Sequence, residues 1–124
     1  MPHPNMERRS MMADLGQGLS VWKVHLDCVR EQDVNARVMS MDRFARLTAN
    51  IEKQKRLESL PMVHNVDPAN PATYFELISG HHRTRAARRA GLQEIYVLND
   101  SSPLSRSEVV SKQLAHNSLN GEDD

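Results

Sequence analysis

Apolar and polar positions alternate imperfectly from Val21 to Val29 (VWKVHLDCV), the two-residue period of a half-buried strand. Arg30 to Ala36 are polar and predict a loop. Ser40 then stands as a helix N-cap, with Asp42 in the first turn, where the helix dipole favours a carboxylate. Phe44, Leu47 and Ile51 follow at helical spacing and set one apolar stripe on a helix from about Met41 to Lys55. Pro61 ends any helix before it, and Met62 to Val66 is a short apolar strand. Asp67 to Ala72 (DPANPA) has the composition of an exposed loop. Thr73 to Ile78 (TYFELI) is rich in aromatic and branched residues and predicts a strand, which Ser79-Gly80 breaks. Arg83 to Ala90 (RTRAARRA) is a helix, with Gly91 where a left-handed C-cap belongs. Glu94 to Leu98 is a further strand and Asn99 to Pro103 a turn. Ser105 or Ser107 caps a last helix running towards Leu114. The fold class that follows is α/β: a small sheet with helices packed on it. The strand–helix–strand unit around Gly80 predicts a crossover on one sheet face.

The length of 124 residues suits one domain. Trp22, Phe44, Tyr74, Phe75 and Tyr96 are the aromatic residues, so aliphatic side chains must build most of the core. The formal net charge is zero, which gives no chain-wide electrostatic grip on nucleic acid. Cys28 is the single cysteine, so neither an intramolecular disulfide nor a cysteine zinc cage can form. That favours a reducing, cytoplasmic setting. No apolar run approaches the roughly 20 residues that span a bilayer. Met1 to Ser20 lacks the apolar core of a secretory signal and reads as a flexible leader. The folded domain is expected over residues 21–118, and Leu119 to Asp124 is an acidic tail.

Candidate chemistry lies between Ile78 and Arg85. A buried strand ends, a glycine permits an unusual turn, and a helix starts at once. The first amides of a helix lack intrahelical acceptors, and with the helix dipole they attract anions. Gly80 has no Cβ, which lets a phosphate approach the backbone. Arg83 adds forked, charge-assisted hydrogen bonds and Thr84 a hydroxyl. His81 and His82 are suited to hydrogen bonding or phosphate contact rather than to a metal, since adjacent residues in a turn rarely aim two imidazoles at one ion. No metal site is predicted. Arg85, Arg88 and Arg89 lie on the basic side of the helix, opposite the small Ala86, Ala87 and Ala90. That side is either a solvated face or a nonspecific DNA contact.

These residues resemble a known family. Asn35-Ala36-Arg37, Phe44-Ala45-Arg46-Leu47 with Asn50-Ile51, the run from Tyr74 to Ala87 containing Ser79-Gly80-His81-His82-Arg83, and Gly91-Leu92 are similar to the ParB-like N-terminal domain, also called the ParB-like nuclease domain, in a GHHR variant. The resemblance runs from about Val21 to Asn117 and places the chain in the ParB/sulfiredoxin superfamily, which includes free serine kinases. It implies a mixed sheet with packed helices and a phosphate-binding turn. Partition members usually show GERR here and bind CTP with magnesium. Gly80 and Arg83 match that pattern, while His81-His82 replaces Glu-Arg. Leu114-Ala115-His116-Asn117 resembles their downstream Glu-Asn block, so Asn117 carries over as a phosphate or metal contact and His116 does not. Mg²⁺ prefers oxygen ligands, which sets the imidazole apart. Arg37 matches the first block and lines the nucleotide pocket by resemblance.

Sulfiredoxins need a cysteine at the turn where His81 stands, which argues against sulfinic-acid reduction. Free serine kinases show DGHHR, but their Asp is Ser79 here, a poor unaided base, and Glu31 is the only catalytic candidate from the preceding loop. Nuclease chemistry finds no clustered carboxylates for two metals. Three readings follow. The first is a nucleotide-binding module for CTP or ATP, with Mg²⁺, acting as a switch or partner-binding unit of a DNA-partition or phage/plasmid-type protein, as a triphosphatase or without hydrolysis. The second is a DNA-associated module using the basic helix or a downstream domain. The third is a small-molecule phosphotransferase. A homodimer exchanging the C-terminal helix is implied by the resemblance.

Overall fold

The computed structural model describes residues 8–31, 39–103 and 111. Among the described residues six strands form one sheet in the order β1-β2-β6-β4-β5-β3. They are β1 (Arg9–Gly16), β2 (Leu19–His25), β3 (Val29–Arg30), β4 (Met62–His64), β5 (Phe75–Ser79) and β6 (Glu94–Asp100). Two helices are described, α1 (Met41–Gln54) and α2 (His81–Arg89). The sheet is mixed: β1–β2, β2–β6 and β4–β5 are antiparallel, and β4–β6 and β3–β5 are parallel. The mixed α/β architecture expected from the pattern is the one observed.

Pairing explains which side chains make the core. Trp22 lies opposite Val97, and Val24 opposite Ile95. Val63 lies opposite Leu77, and Val29 opposite Phe75. All eight are buried and line one face of the sheet. The Trp22 and Phe75 rings pack at a tilt of 51° with centroids 5.8 Å apart. Burying a side chain such as Phe75 contributes about 2 kcal/mol. Ala87 of α2 belongs to the same cluster, with Leu92 and Leu57 packed at its margin. The small Ala86 and Ala87, both fully buried, let α2 sit close to the strands, while α1 packs against α2.

Three features differ from the sequence pattern. The stretch expected to be leader contains β1, which pairs with β2 through a turn whose Gly16, Gln17 and Gly18 all have positive φ. Seven of its eight residues are exposed, so β1 has no buried face to give alternation. The strand expected from Val21 to Val29 breaks, because Leu26–Cys28 form a 3₁₀ turn, capped by the His25 Nδ1 accepting from the Asp27 amide. Finally, β5 and β6 flank β4 and run in opposite directions, so β5–α2–β6 is not a parallel crossover. The last helix expected from Ser105 or Ser107 lies outside the described residues, apart from Ser111, which is helical.

Candidate functional site

β5 ends at Ser79 and α2 starts at His81, so one residue makes the whole turn. That residue, Gly80, is the α2 N-cap with φ 92° and ψ 25°, a left-handed conformation that L side chains rarely adopt. A glycine cannot cap the first-turn amides with a side chain, so α2 begins without that intrinsic competitor for an anion. The helix therefore starts two residues earlier than its alanine–arginine pattern indicated, and both histidines lie in its first turn. His81 and His82 are buried, at 1% and 6% exposure. Arg83 is half-buried. Thr84 is fully buried, and its hydroxyl donates to the Gly80 carbonyl at 2.8 Å. It ties the turn to the first turn of α2.

The strand leading to the turn is irregular. Met62 pairs with Ser79 and Val63 with Leu77, so β5 has an extra residue, Ile78, next to the turn. Such bulges re-aim the chain beside functional sites. The glycine is required for a second reason, which the sequence did not reveal. A Cβ built on Gly80 would lie 2.8 Å from Pro61 Cβ and 3.0 Å from Pro61 Cα. The side of Gly80 expected to admit a phosphate is thus filled by Pro61.

The other sequence candidates separate. Arg85 Nε donates to Glu31 Oε1 at 2.7 Å. One oxygen of the candidate base is thereby held by a guanidinium. Arg88 Nη2 donates to the Leu26 and Val29 carbonyls at 3.0 and 3.1 Å, clamping α2 to the 3₁₀ turn and β3. Arg89 is exposed. Of the three arginines expected to face DNA, two are engaged within the fold. Arg37 and Asn117 lie outside the described residues. Among the described residues no group of three or more His, Cys, Asp or Glu side chains is placed to hold a metal ion. No helix among them is long and apolar enough to cross a membrane.

A mixed sheet in which one strand joins a helix through a single left-handed glycine defines a class of small α/β domains. Within that class the comparison with protein families is specific: residues 10–118 match the ParB N-terminal domain, and the chain belongs to that family. The match begins inside β1, in agreement with the strand found there. Solved structures with the same fold include the C-terminally truncated chromosome-partitioning protein ParB from Caulobacter crescentus complexed with CTP-γ-S. It is 19% identical at TM-score 0.64, over 80% of this chain and 53% of that one. The same protein complexed to the centromeric parS site is 18% identical at TM-score 0.59, over 81% and 48%. A Pnob8-like ParB-N domain is 15% identical at TM-score 0.59, over 91% and 38%. The chain thus spans about half the length of the Caulobacter structures. Among curated protein sequences no match was found.

Proposed function

We propose that the turn from Gly80 to Thr84 holds the phosphates of a nucleoside triphosphate, CTP or ATP, and that the domain is the nucleotide-dependent switch or partner-binding module of a DNA-partition or phage/plasmid-type protein. The observation that carries this reading is the left-handed Gly80, which joins β5 directly to α2 and leaves the helix start without a capping side chain. Amides there and the helix dipole favour an anion, and Arg83 supplies the matching charge. Membership of the ParB N-terminal domain family and the CTP-γ-S complex of a structural neighbour support the choice of ligand. His81 and His82 act from within, shaping the turn, since both are buried. Arg37 and Asn117 are assigned to the pocket by their motifs, and Mg²⁺, where used, would be held by phosphate oxygens and water with Asn117. A cytoplasmic homodimer completes the proposal.

The test is calorimetric titration of the protein with CTP, ATP, GTP and ADP, with and without Mg²⁺. Saturable binding of at least one triphosphate is expected. Arg83→Ala should weaken it by at least tenfold, the scale of one lost charge-assisted contact of about 2 kcal/mol. Absence of heat with every nucleotide would sink the reading.

A DNA role is second. A neighbour is solved with its centromeric site, but Arg85 and Arg88 are already engaged, so DNA contact through α2 falls to Arg89 alone among these three. Phosphotransfer to a small acceptor ranks last, because Glu31 is held by Arg85.

A further inference from the structure

We infer that Pro61 is the positioning residue of the Gly80 turn: it fills the volume a side chain at position 80 would take and thereby holds the glycine left-handed. This rests on the nucleotide reading above for its consequence, though not for its geometry. Pro61 is buried immediately before β4, and its Cβ, Cα and Cγ all lie within 3.3 Å of where a Gly80 Cβ would be. Its own position is fixed from the other side, where the Leu98 amide of β6 donates to the Pro61 carbonyl at 2.9 Å. The next residue, Met62, pairs with Ser79 of β5 and with Leu98 of β6. Pro61 is therefore anchored to the strands on both sides of β4, and its ring adds no torsional freedom of its own. A glycine populates left- and right-handed backbone about equally when free, so something must select the rotation seen here. The pyrrolidine does so sterically, from a residue 19 positions earlier in the chain. The register of β5 also shifts by one residue at Ile78, two positions before Gly80.

The consequence is preorganisation. If Gly80 leaves the left-handed well, the first turn of α2 is no longer presented in one geometry, and apparent affinity falls with the fraction of competent molecules. Pro61 acts through Gly80 rather than by touching the ligand.

The test uses the full chain and four variants: Pro61→Gly, Pro61→Ala, Gly80→Ala and the Pro61→Gly/Gly80→Ala double. Unfolding equilibria come first. The penalty of Gly80→Ala on the folded-to-unfolded ratio should be about tenfold smaller when position 61 is glycine, because the Cβ collision is relieved while the cost of positive φ remains. Additive penalties would overturn the wedge. Backbone NMR couplings at Gly80 come next. They should report a single left-handed conformer in the unaltered protein and in Pro61→Ala, which keeps the touching Cβ, and averaging in Pro61→Gly. An unaveraged left-handed Gly80 in Pro61→Gly would overturn the positioning role even with the wedge intact. The third readout is CTP titration of the variants at a temperature where each is folded. Pro61→Gly should bind roughly tenfold more weakly if about one molecule in ten stays competent, with Pro61→Ala close to the unaltered protein. If the unaltered protein binds no nucleotide, the functional reading fails, and the couplings alone decide what Pro61 does.

Discussion

Arg88 shows how a side chain that looks like a surface cation can be structural. Its stem leaves the exposed side of α2, yet its guanidinium reaches the carbonyls of Leu26 and Val29, on either end of the 3₁₀ turn. The Leu26 carbonyl also accepts from the Val29 amide, so the guanidinium adds to the closure of the turn. Arg88→Ala should therefore destabilise the domain by about 1–2 kcal/mol, and Arg88→Lys should recover little, because Nη2, which makes both bonds, lies one bond further from the backbone than a lysine Nζ. Urea unfolding checks this, and an unchanged midpoint would return Arg88 to the solvated face. Arg9 makes the same point more deeply. It is 7% exposed, lies over the Phe75 ring at 4.9 Å, and donates to the Pro68, Asn70 and Thr73 carbonyls. Asn65 and the Thr73 hydroxyl complete the network that folds the DPANPA loop back on the sheet edge. Neither partnership is legible in sequence, because each donor meets backbone carbonyls about sixty positions away.

The elements that were legible carry their instructions locally. Ser40 accepts from the Arg43 amide at 3.2 Å and begins α1 where the pattern placed the cap. Ser40→Ala should cost about 1 kcal/mol. The other end of α1 offers the opposite sign. Lys55 sits left-handed at φ 61°, where glycine is the ordinary residue, so Lys55→Gly should stabilise the domain by about 0.5 kcal/mol. Thermal unfolding of the two variants should move in opposite directions, and a shared direction would mean that contacts elsewhere decide. α2 was legible at its C-terminus for the same reason: Gly91 has φ 86°, and the Leu92 amide donates to the Ala87 carbonyl. Its start was not, because histidine has middling helix propensity and the two imidazoles gain their place by burial. β1 escaped the pattern because both its faces meet solvent. Its signal was the Gly-Gln-Gly turn before Leu19, which a reading fixed on alternation passes over. At the site, glycine, arginine and the strand–helix junction were visible in the motif. The Pro61 contact was not, since a proline before a strand reads only as a helix stop.

At the scale of the whole molecule, the sheet order explains why one bend can govern so much. β4 lies between β5 and β6, and the turn leaves β5 against the residue that enters β4. The strands that bury Val63, Leu77 and Val97 are therefore the strands that fix the site, and folding the core assembles the turn. α1 stands further out. Among its residues only Thr48 and Ile51 are buried, and it leans on α2 rather than on the central strands. Binding at the start of α2 should then be felt as global stability, because the unfolded chain has no such turn to offer the ligand. A ligand that binds only the folded state adds about 2.7 kcal/mol at one hundred times its dissociation constant. For a domain of this size that corresponds to a rise in Tm on the order of 10 °C. Thermal unfolding against CTP concentration should show this rise continuing with the logarithm of concentration, and Arg83→Ala should shift the curve to higher CTP without changing the Tm of the free protein by a comparable amount. A Tm that stays flat to millimolar CTP in a protein shown by calorimetry to bind would place the ligand on a part of the chain that is not coupled to the core, and so away from Gly80.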